Sequence, residues 1–257
     1  MPSTYRERAP RAAPPDHVAC LWYQRVAPAD APDLHRIVPD GCMDIIWLDG
    51  GLHVAGPDTE AMLASLTPAT TVVGLRFLPG HGPAFLGIDP SEHVNGRVEL
   101  DELWGADARR LTEQIGNAPD VAAATDALER AVAARAAAGD RTDPIADAAT
   151  QLLGAPDGGA RVREVAPELG LSARQLHRRC LRTFGYGPKT LARVLRFQRF
   201  LRVARSAPSL TYARLAAECG YTDEAHLSRD CRALGGATPG ELARRRSRTG
   251  RAEGPGA

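Results

Sequence analysis

The order of apolar and polar positions divides the chain into two parts with different periods. From about Val18 to Gly105, short apolar runs rich in β-branched residues alternate with Pro, Gly and Asp. Runs of this length and punctuation are typical of strands in a small barrel or sandwich. After Trp104 the apolar residues recur every three or four positions, which predicts helices. The sequence therefore predicts an α+β protein with its strands first and its helices afterwards.

These patterns also set the predicted domain limits. Residues 1–16 are rich in Pro, Ala and Arg without an apolar period, so they are predicted to be disordered. A β domain is predicted over residues 17–105, a helical connector over 106–141 and an all-α domain over 142–246. The tail at 247–257 has no periodicity and is also predicted to be disordered.

Composition narrows the classes of function. No apolar run approaches the roughly 20 residues of a membrane helix, and the N-terminus lacks the apolar segment of a signal peptide. A cytoplasmic protein without a membrane partner is therefore expected. The five cysteines form no C-x-x-C pair, so neither a disulfide framework nor a zinc site is predicted, and no cofactor is expected.

The formal net charge of +1 conceals an asymmetry along the chain. The residues up to Asp157 carry a net charge of −11, and those after it carry +12. Such an asymmetry bears on association rather than on topology, and an arginine-rich half favours an anionic partner. Nucleic acid is the predicted partner.

A stretch of the second part occurs twice, about 50 residues apart, which indicates two copies of one structural unit. The matching pairs are Ala166 and Ala216, Glu168 and Glu218, Gly170 and Gly220, Leu176 and Leu227, Arg178 and Arg229, Cys180 and Cys231, Gly185 and Gly236, and Pro188 and Pro239.

The first copy has the pattern of a helix, a tight turn and a second helix. Gly170 is predicted to end the first helix in the left-handed conformation, and Ser172 to cap the second in a capping box with Gln175. The residues predicted to pack inward from this second helix are Ala173, Leu176, Cys180 and Phe184. The opposite face carries Arg174, Arg178 and Arg182, a row suited to guanine edges and phosphates in a major groove.

The second copy repeats this pattern, with Thr222 as the predicted N-cap. Leu227, Cys231 and Leu234 are predicted to face inward, and Ala225, His226, Arg229 and Arg232 outward. Between the copies, a helix from Pro188 to about Arg205 would span roughly 27 Å. A rod of that length could hold two reading helices near one DNA turn apart, about 34 Å.

The residues predicted to contact DNA are Ser172, Arg174, Gln175, Arg178, Arg179, Arg182, Thr222, Ala225, His226, Arg229 and Arg232.

The two segments GLSARQLHRRCLRTFGYGPKTLARVLRFQR and LAAECGYTDEAHLSRDCRALGGATPGEL closely resemble the DNA-binding domain of AraC/XylS-type bacterial transcriptional regulators. The resemblance covers about residues 143–246 and implies one chain carrying two reading helices joined by a long helix. It implies sequence-specific binding of double-stranded DNA in transcription regulation, activation included. The family usually has phenylalanine where this chain has Cys180 and Cys231.

The segments VPDGCMDIIW and VGLRFLPG resemble an N-terminal β domain, with a possible cupin-like barrel, that precedes the DNA-binding module in a subset of these regulators. This resemblance implies a role in sensing or dimerisation and no enzymatic activity. A small-molecule effector, RNA polymerase and a second copy of the chain are compatible partners.

Two alternatives concern the β domain alone. A metal-dependent cupin-like enzyme could draw its ligands from His35, Cys42, Asp44, His53, His81 and His93, although no ligand spacing demands a metal. A thiol-based sensor could use Cys20 or Cys42. Arg76, an unusual charge in an apolar run, is predicted to pair with Asp40 or Asp44, with binding of an anionic effector as the alternative.

Overall fold

The computed structural model describes residues 4–14, 16–27, 33–137, 142–155 and 162–244. The predicted tail at 247–257 lies outside these residues. The predicted α+β class is confirmed, with antiparallel strands preceding a helical half. The strands are β1 Thr4–Arg8, β2 Val18–Arg25, β3 Asp33–Ile37, β4 Asp44–Leu48, β5 Gly51–Ala55, β6 Met62–Leu66, β7 Thr71–Phe77 and β8 Arg97–Glu99.

The larger sheet has six antiparallel strands in the order β1-β2-β7-β4-β5-β8. Because side chains alternate across a strand, it has two apolar faces. On one face, Leu21, Ile45, Val73 and Leu75 are fully buried in the main core. On the other, Trp22 and Val72 belong to a smaller apolar cluster.

The predicted barrel does not close. Strands β3 and β6 form a separate two-stranded sheet, and β1 and β8 are the two ends of the larger one. Helices cover one face of the larger sheet, so its apolar residues are buried without closure. The sandwich alternative within the prediction therefore describes the arrangement better than the barrel.

The helices predicted to be a connector belong to the β domain's core. After the short α1 Gly82–Leu86 come α2 Leu100–Trp104, α3 Ala106–Gly116 and α4 Val121–Ala137. Leu111, Ile115, Leu128 and Val132 are buried in the same cluster as the strand residues. The apolar face of these helices, which predicted a helical connector, is thus the surface that covers the sheet.

The N-terminus is ordered where the structure describes it, contrary to the prediction for residues 1–16. Strand β1 pairs with β2 along its whole length. Farther on, the buried carboxylate of Glu129 accepts hydrogen bonds from the backbone N–H groups of Arg11, Ala12 and Ala13. This segment lacked an apolar period because backbone pairing and a distant carboxylate hold it, rather than an apolar stripe.

The second half contains α5 Ile145–Gly154, α6 Val162–Glu168, α7 Ala173–Phe184, α8 Pro188–Ser206, α9 Tyr212–Glu218, α10 Glu224–Gly235 and α11 Pro239–Arg244. Two helix-turn-helix units, α6–α7 and α9–α10, flank the long helix α8, as predicted. Gly170 and Gly220 take positive φ angles of 65° and 77° at the two turns. Each unit has its own core, and α8 contributes Leu191 to the first and Phe197 to the second.

Polar contacts join the β domain to the helical half at several points. The ring of His81 lies 3.1 Å from a carboxylate oxygen of Asp147 in α5. Arg36 donates to the backbone carbonyls of Gly235 and Gly236, at 2.9 and 3.2 Å.

Among the described residues, none of the helices combines the length and apolar character needed to cross a bilayer.

Candidate nucleic-acid interface

Helix α7 begins with the predicted capping box. The Ser172 hydroxyl accepts from the Gln175 N–H at 3.2 Å, and the Gln175 side chain accepts from the Ser172 N–H at 2.8 Å. Leu176, Cys180 and Phe184 are buried, as predicted. Ala173, predicted to face inward, is exposed because it lies in the first turn, ahead of the core contacts.

The opposite face of α7 presents a cationic row to solvent. Arg174, Arg178 and Arg182 are exposed, and none forms an ion pair with another described residue. Arg182 is near Asp89 of the β domain. The pKa of Asp89 is lowered first by hydrogen bonds from Ser91 and further by the Arg182 charge. The row is therefore available to an anionic partner, with its C-terminal end beside a carboxylate.

Arg179 differs from its neighbours. It is half-buried and pairs through both Nε and Nη2 with the Asp143 carboxylate, the Nε contact being 3.0 Å. Asp143 also accepts from the Ile145 N–H at the start of α5. This pairing raises the Arg179 pKa, principally through the hydrogen bond to Asp143. Arg179 thus joins α7 to α5 in the structure.

Helix α10 begins one residue later than predicted. Asp223, not Thr222, is its N-cap, and the Asp223 carboxylate accepts from the His226 N–H at 2.6 Å. A carboxylate is a stronger acceptor than a hydroxyl, and it is favoured at the positive end of a helix. Thr222 is exposed just outside the helix.

Of the four residues predicted to face outward from α10, Ala225, Arg229 and Arg232 are exposed. His226 is half-buried instead. Its Nε2 lies 3.3 Å from Arg196 Nη2, and its ring meets Tyr221 edge-on at 5.1 Å between centroids. Burial, and next the Arg196 charge, lower the His226 pKa, which favours the neutral ring.

Helix α8 carries a set of arginines that fix the reading units and that the sequence pattern did not single out. Arg193 and Arg196 both donate to the buried carboxylate of Asp230 in α10, each with a contact of 2.9 Å. One turn farther, buried Arg199 donates to the carbonyls of Gly154 and Ala155 after α5. The spacing of three residues along α8 was a detectable signal, but their partners are 34 to 45 positions away in sequence.

The residues considered for a metal site do not form a set of metal ligands, although His35, Cys42, Asp44 and His53 line one cavity. His35 contacts Gln24, His53 lies 3.1 Å from Glu99, and His81 contacts Asp147. Within the described ranges, no three His, Cys, Asp or Glu side chains are arranged to hold a metal ion. Burial raises the pKa of Cys20 to about 12, which disfavours the reactive thiolate at neutral pH.

Arg76 has the predicted structural partners. It forms two hydrogen bonds with Asp44, at 2.9 and 2.8 Å, and lies 3.6 Å from Asp40.

Comparison with known proteins agrees with this geometry. Residues 165–245 match the family described as a helix-turn-helix domain, and residues 6–99 match a domain of unknown function (DUF6597). No curated protein sequence matches the chain.

Solved structures give partial likenesses. A transcriptional regulator from Chromobacterium violaceum with an AraC-type DNA-binding domain is 25% identical, covers 40% of this chain and 93% of its own, and has a TM-score of 0.37. An apo variant of ToxT from Vibrio cholerae is 12% identical, covers 91% of this chain and 98% of its own, and has a TM-score of 0.48.

The matched family segment spans the end of α6 through α11, and so contains both turns, both exposed arginine faces and the whole of α8. Residues 165–245 are thus a helix-turn-helix domain, and they are the part of the chain whose sequence resembles the DNA-binding domain of AraC/XylS-type bacterial transcriptional regulators.

Proposed function

We propose that the protein is a transcriptional regulator that inserts α7 and α10 into successive major grooves on one face of a duplex. The observation that carries the proposal is the pair of capped helices whose arginine faces are exposed while their opposite faces are buried in two cores, to both of which α8 contributes. Its 19 residues correspond to about 28 Å, close to the rise of one DNA turn.

The predicted residues fall into groups with different contacts to DNA. Arg174, Arg178 and Arg182 on α7, with Arg229 and Arg232 on α10, would read guanine edges or clamp phosphates. The predicted residues at the helix starts, Ser172, Gln175, Thr222 and Ala225, would approach the backbone or bases there. Arg179 and His226 are already paired within the protein, so they would act chiefly by orienting α7 and α10.

The β domain would supply regulation rather than catalysis, by binding a small molecule or a second copy of the chain. Contact with RNA polymerase would follow from action at a promoter, in the bacterial cytoplasm.

The test is selection of a binding site from random duplexes, followed by fluorescence anisotropy at several salt concentrations. Log affinity should fall with log salt by about 0.9 per phosphate neutralised. Arg178→Ala and Arg229→Ala should each weaken specific binding by ~1 to 3 kcal/mol.

The matched control is Arg130→Ala, which removes an exposed arginine from α4 in the β domain and should leave the affinity unchanged. Binding that is absent, independent of salt, or equally weakened by the control would contradict the proposal.

A further inference from the structure

A cavity of about 600 Å³ lies between the open face of the six-stranded sheet and the β3–β6 sheet. Leu201 of α8 and Leu242 of α11 complete its wall, so both halves of the chain enclose it. This volume is within the usual range for a small-molecule site, ~300 to 1,000 Å³. The DNA-binding surface makes no use of it.

One end of the cavity is apolar and aromatic. Its wall includes Trp22, Leu66 and Val72 from the smaller apolar cluster, with Tyr5 at 6.0 Å between ring centroids from Trp22. Gly74 makes room for the indole, since a Cβ there would collide with it.

The Trp22 indole also carries an unmet hydrogen-bonding capacity. The residue is only 8% exposed, and its Nε1 has no partner among the described residues. A buried donor without an acceptor is destabilising. The face of an aromatic ring on a bound molecule can accept such an N–H weakly through its π electrons.

The other end of the cavity is lined by three aspartates and three arginines. Asp44 is paired with Arg76, and Asp58 with Arg97 through two contacts of 3.0 Å. Asp40 is the third carboxylate. It lies 3.6 Å from Arg76, which is already engaged by Asp44, and within the described ranges its one hydrogen bond comes from the Cys42 N–H at 2.9 Å.

Arg36, also in the cavity wall, directs its guanidinium to the Gly235 and Gly236 carbonyls instead. The three arginines are therefore already engaged by acceptors of the protein, whereas Asp40 shares Arg76 with Asp44 and can still receive a cationic group.

We propose that this cavity binds an amphipathic cation: an apolar, preferably aromatic body against Trp22 and Tyr5, with one basic amine at Asp40. The role of this ligand as the effector of a regulator rests on the proposed function. Binding itself can be measured without DNA.

The probe set is 4-phenylbutylamine, with 4-phenylbutanol and 4-phenylbutyrate as neutral and acidic counterparts of the same body. Isothermal titration calorimetry on the full chain should give the amine at least tenfold higher affinity than either counterpart. Asp40→Asn should remove most of that preference and leave the alcohol unchanged.

Asp49→Asn, at an exposed turn beyond β4, is the matched control and should bind all three probes like the parent protein. Ala64→Trp, which fills the cavity from β6, should abolish binding of all three. Thermal melting and DNA affinity of each variant report whether it folds.

Tighter binding of the acid, no detectable binding of the amine at millimolar concentration, or an unchanged preference in a folded Asp40→Asn variant would overturn the proposal. DNA binding without amine binding would refute the cavity assignment alone, and amine binding without DNA binding would refute the regulator function alone.

Discussion

Glu129 is the residue on which the N-terminal segment depends. Burial tends to raise its pKa, but hydrogen bonds from Ala12, Arg11 and Arg8 outweigh this and lower it from 4.5 to about 2. A carboxyl whose pKa is lower in the folded state stabilises the fold above the unfolded pKa. That contribution is lost as the pH falls from about 4.5 to about 2.

Glu129→Gln should therefore remove stability on the order of 3 kcal/mol at pH 7, and this loss should shrink steadily below pH 4.5. Urea denaturation at a series of pH values measures it. Glu113→Gln, an exposed carboxyl on α3, should show no such dependence. A constant difference between Glu129→Gln and the parent protein at all pH values would contradict this account.

Single residues also show what sequence could and could not predict. Ser172 and Gln175 were predictable because a capping box is local. The choice of Asp223 over Thr222 was not, because both can cap a helix and a shift of one residue decides between them. The sequence narrowed the partner of Arg76 to two candidates, Asp40 and Asp44, since an arginine in a buried strand requires a carboxylate.

At the scale of elements, one buried carboxylate makes the ion pairs that join α10 to α8 beside their shared apolar core. Asp230 is 4% exposed and receives both Arg193 and Arg196, while Arg196 also stacks 4.7 Å above the Tyr221 ring. This arrangement fixes the second reading helix in rotation as well as in distance.

Asp230→Ala should cost about 3 kcal/mol of folding free energy, the lower end for a broken buried pair, because Arg193 can turn to solvent. It should also weaken specific DNA binding, although Asp230 itself carries the charge that DNA repels. Chemical denaturation and anisotropy measure the two effects.

The control on the same helix is Asp223→Ala, which removes only the N-cap and should cost about 1 kcal/mol. Equal losses for the two variants, or tighter DNA binding by Asp230→Ala, would show that the Asp230 contacts do not position α10.

Element types followed from the sequence where their signals were periodic, as in α7, α8 and the strands. Two features of the fold could not be predicted from such periodicity. Strand β1 had no apolar alternation, since backbone pairing with β2 holds it. The barrel failed to close because α3 and α4 cover the sheet, and an apolar stripe on a helix does not specify what it covers.

For the whole molecule, Arg36 is a direct polar link between the β domain and the second reading unit. Its guanidinium donates to carbonyls at the C-terminal end of α10, where the helix dipole favours a cation. Charge-assisted hydrogen bonds of this kind contribute roughly 1.5 to 3 kcal/mol.

Arg36→Met should therefore reduce hydrogen-exchange protection in α10 and in the β3–β6 sheet, and leave the β2–β7 pairing protected. Exchange followed by mass spectrometry resolves these segments. Arg25→Met, at an exposed position of β2, should leave all of them unchanged. Unaltered exchange in α10 of Arg36→Met would mean that other contacts carry the connection.

The rigidity of α8 has a consequence for the genome that the protein would act on. A duplex turns by about 36° with each base pair, since one turn takes roughly 10. A flexible tether would tolerate half-sites at several separations, but a continuous helix braced by Arg193, Arg196 and Arg199 fixes one. Functional operators should accordingly share a single spacing between the two contacted segments. Inserting one base pair between these segments should weaken binding as much as removing one base pair.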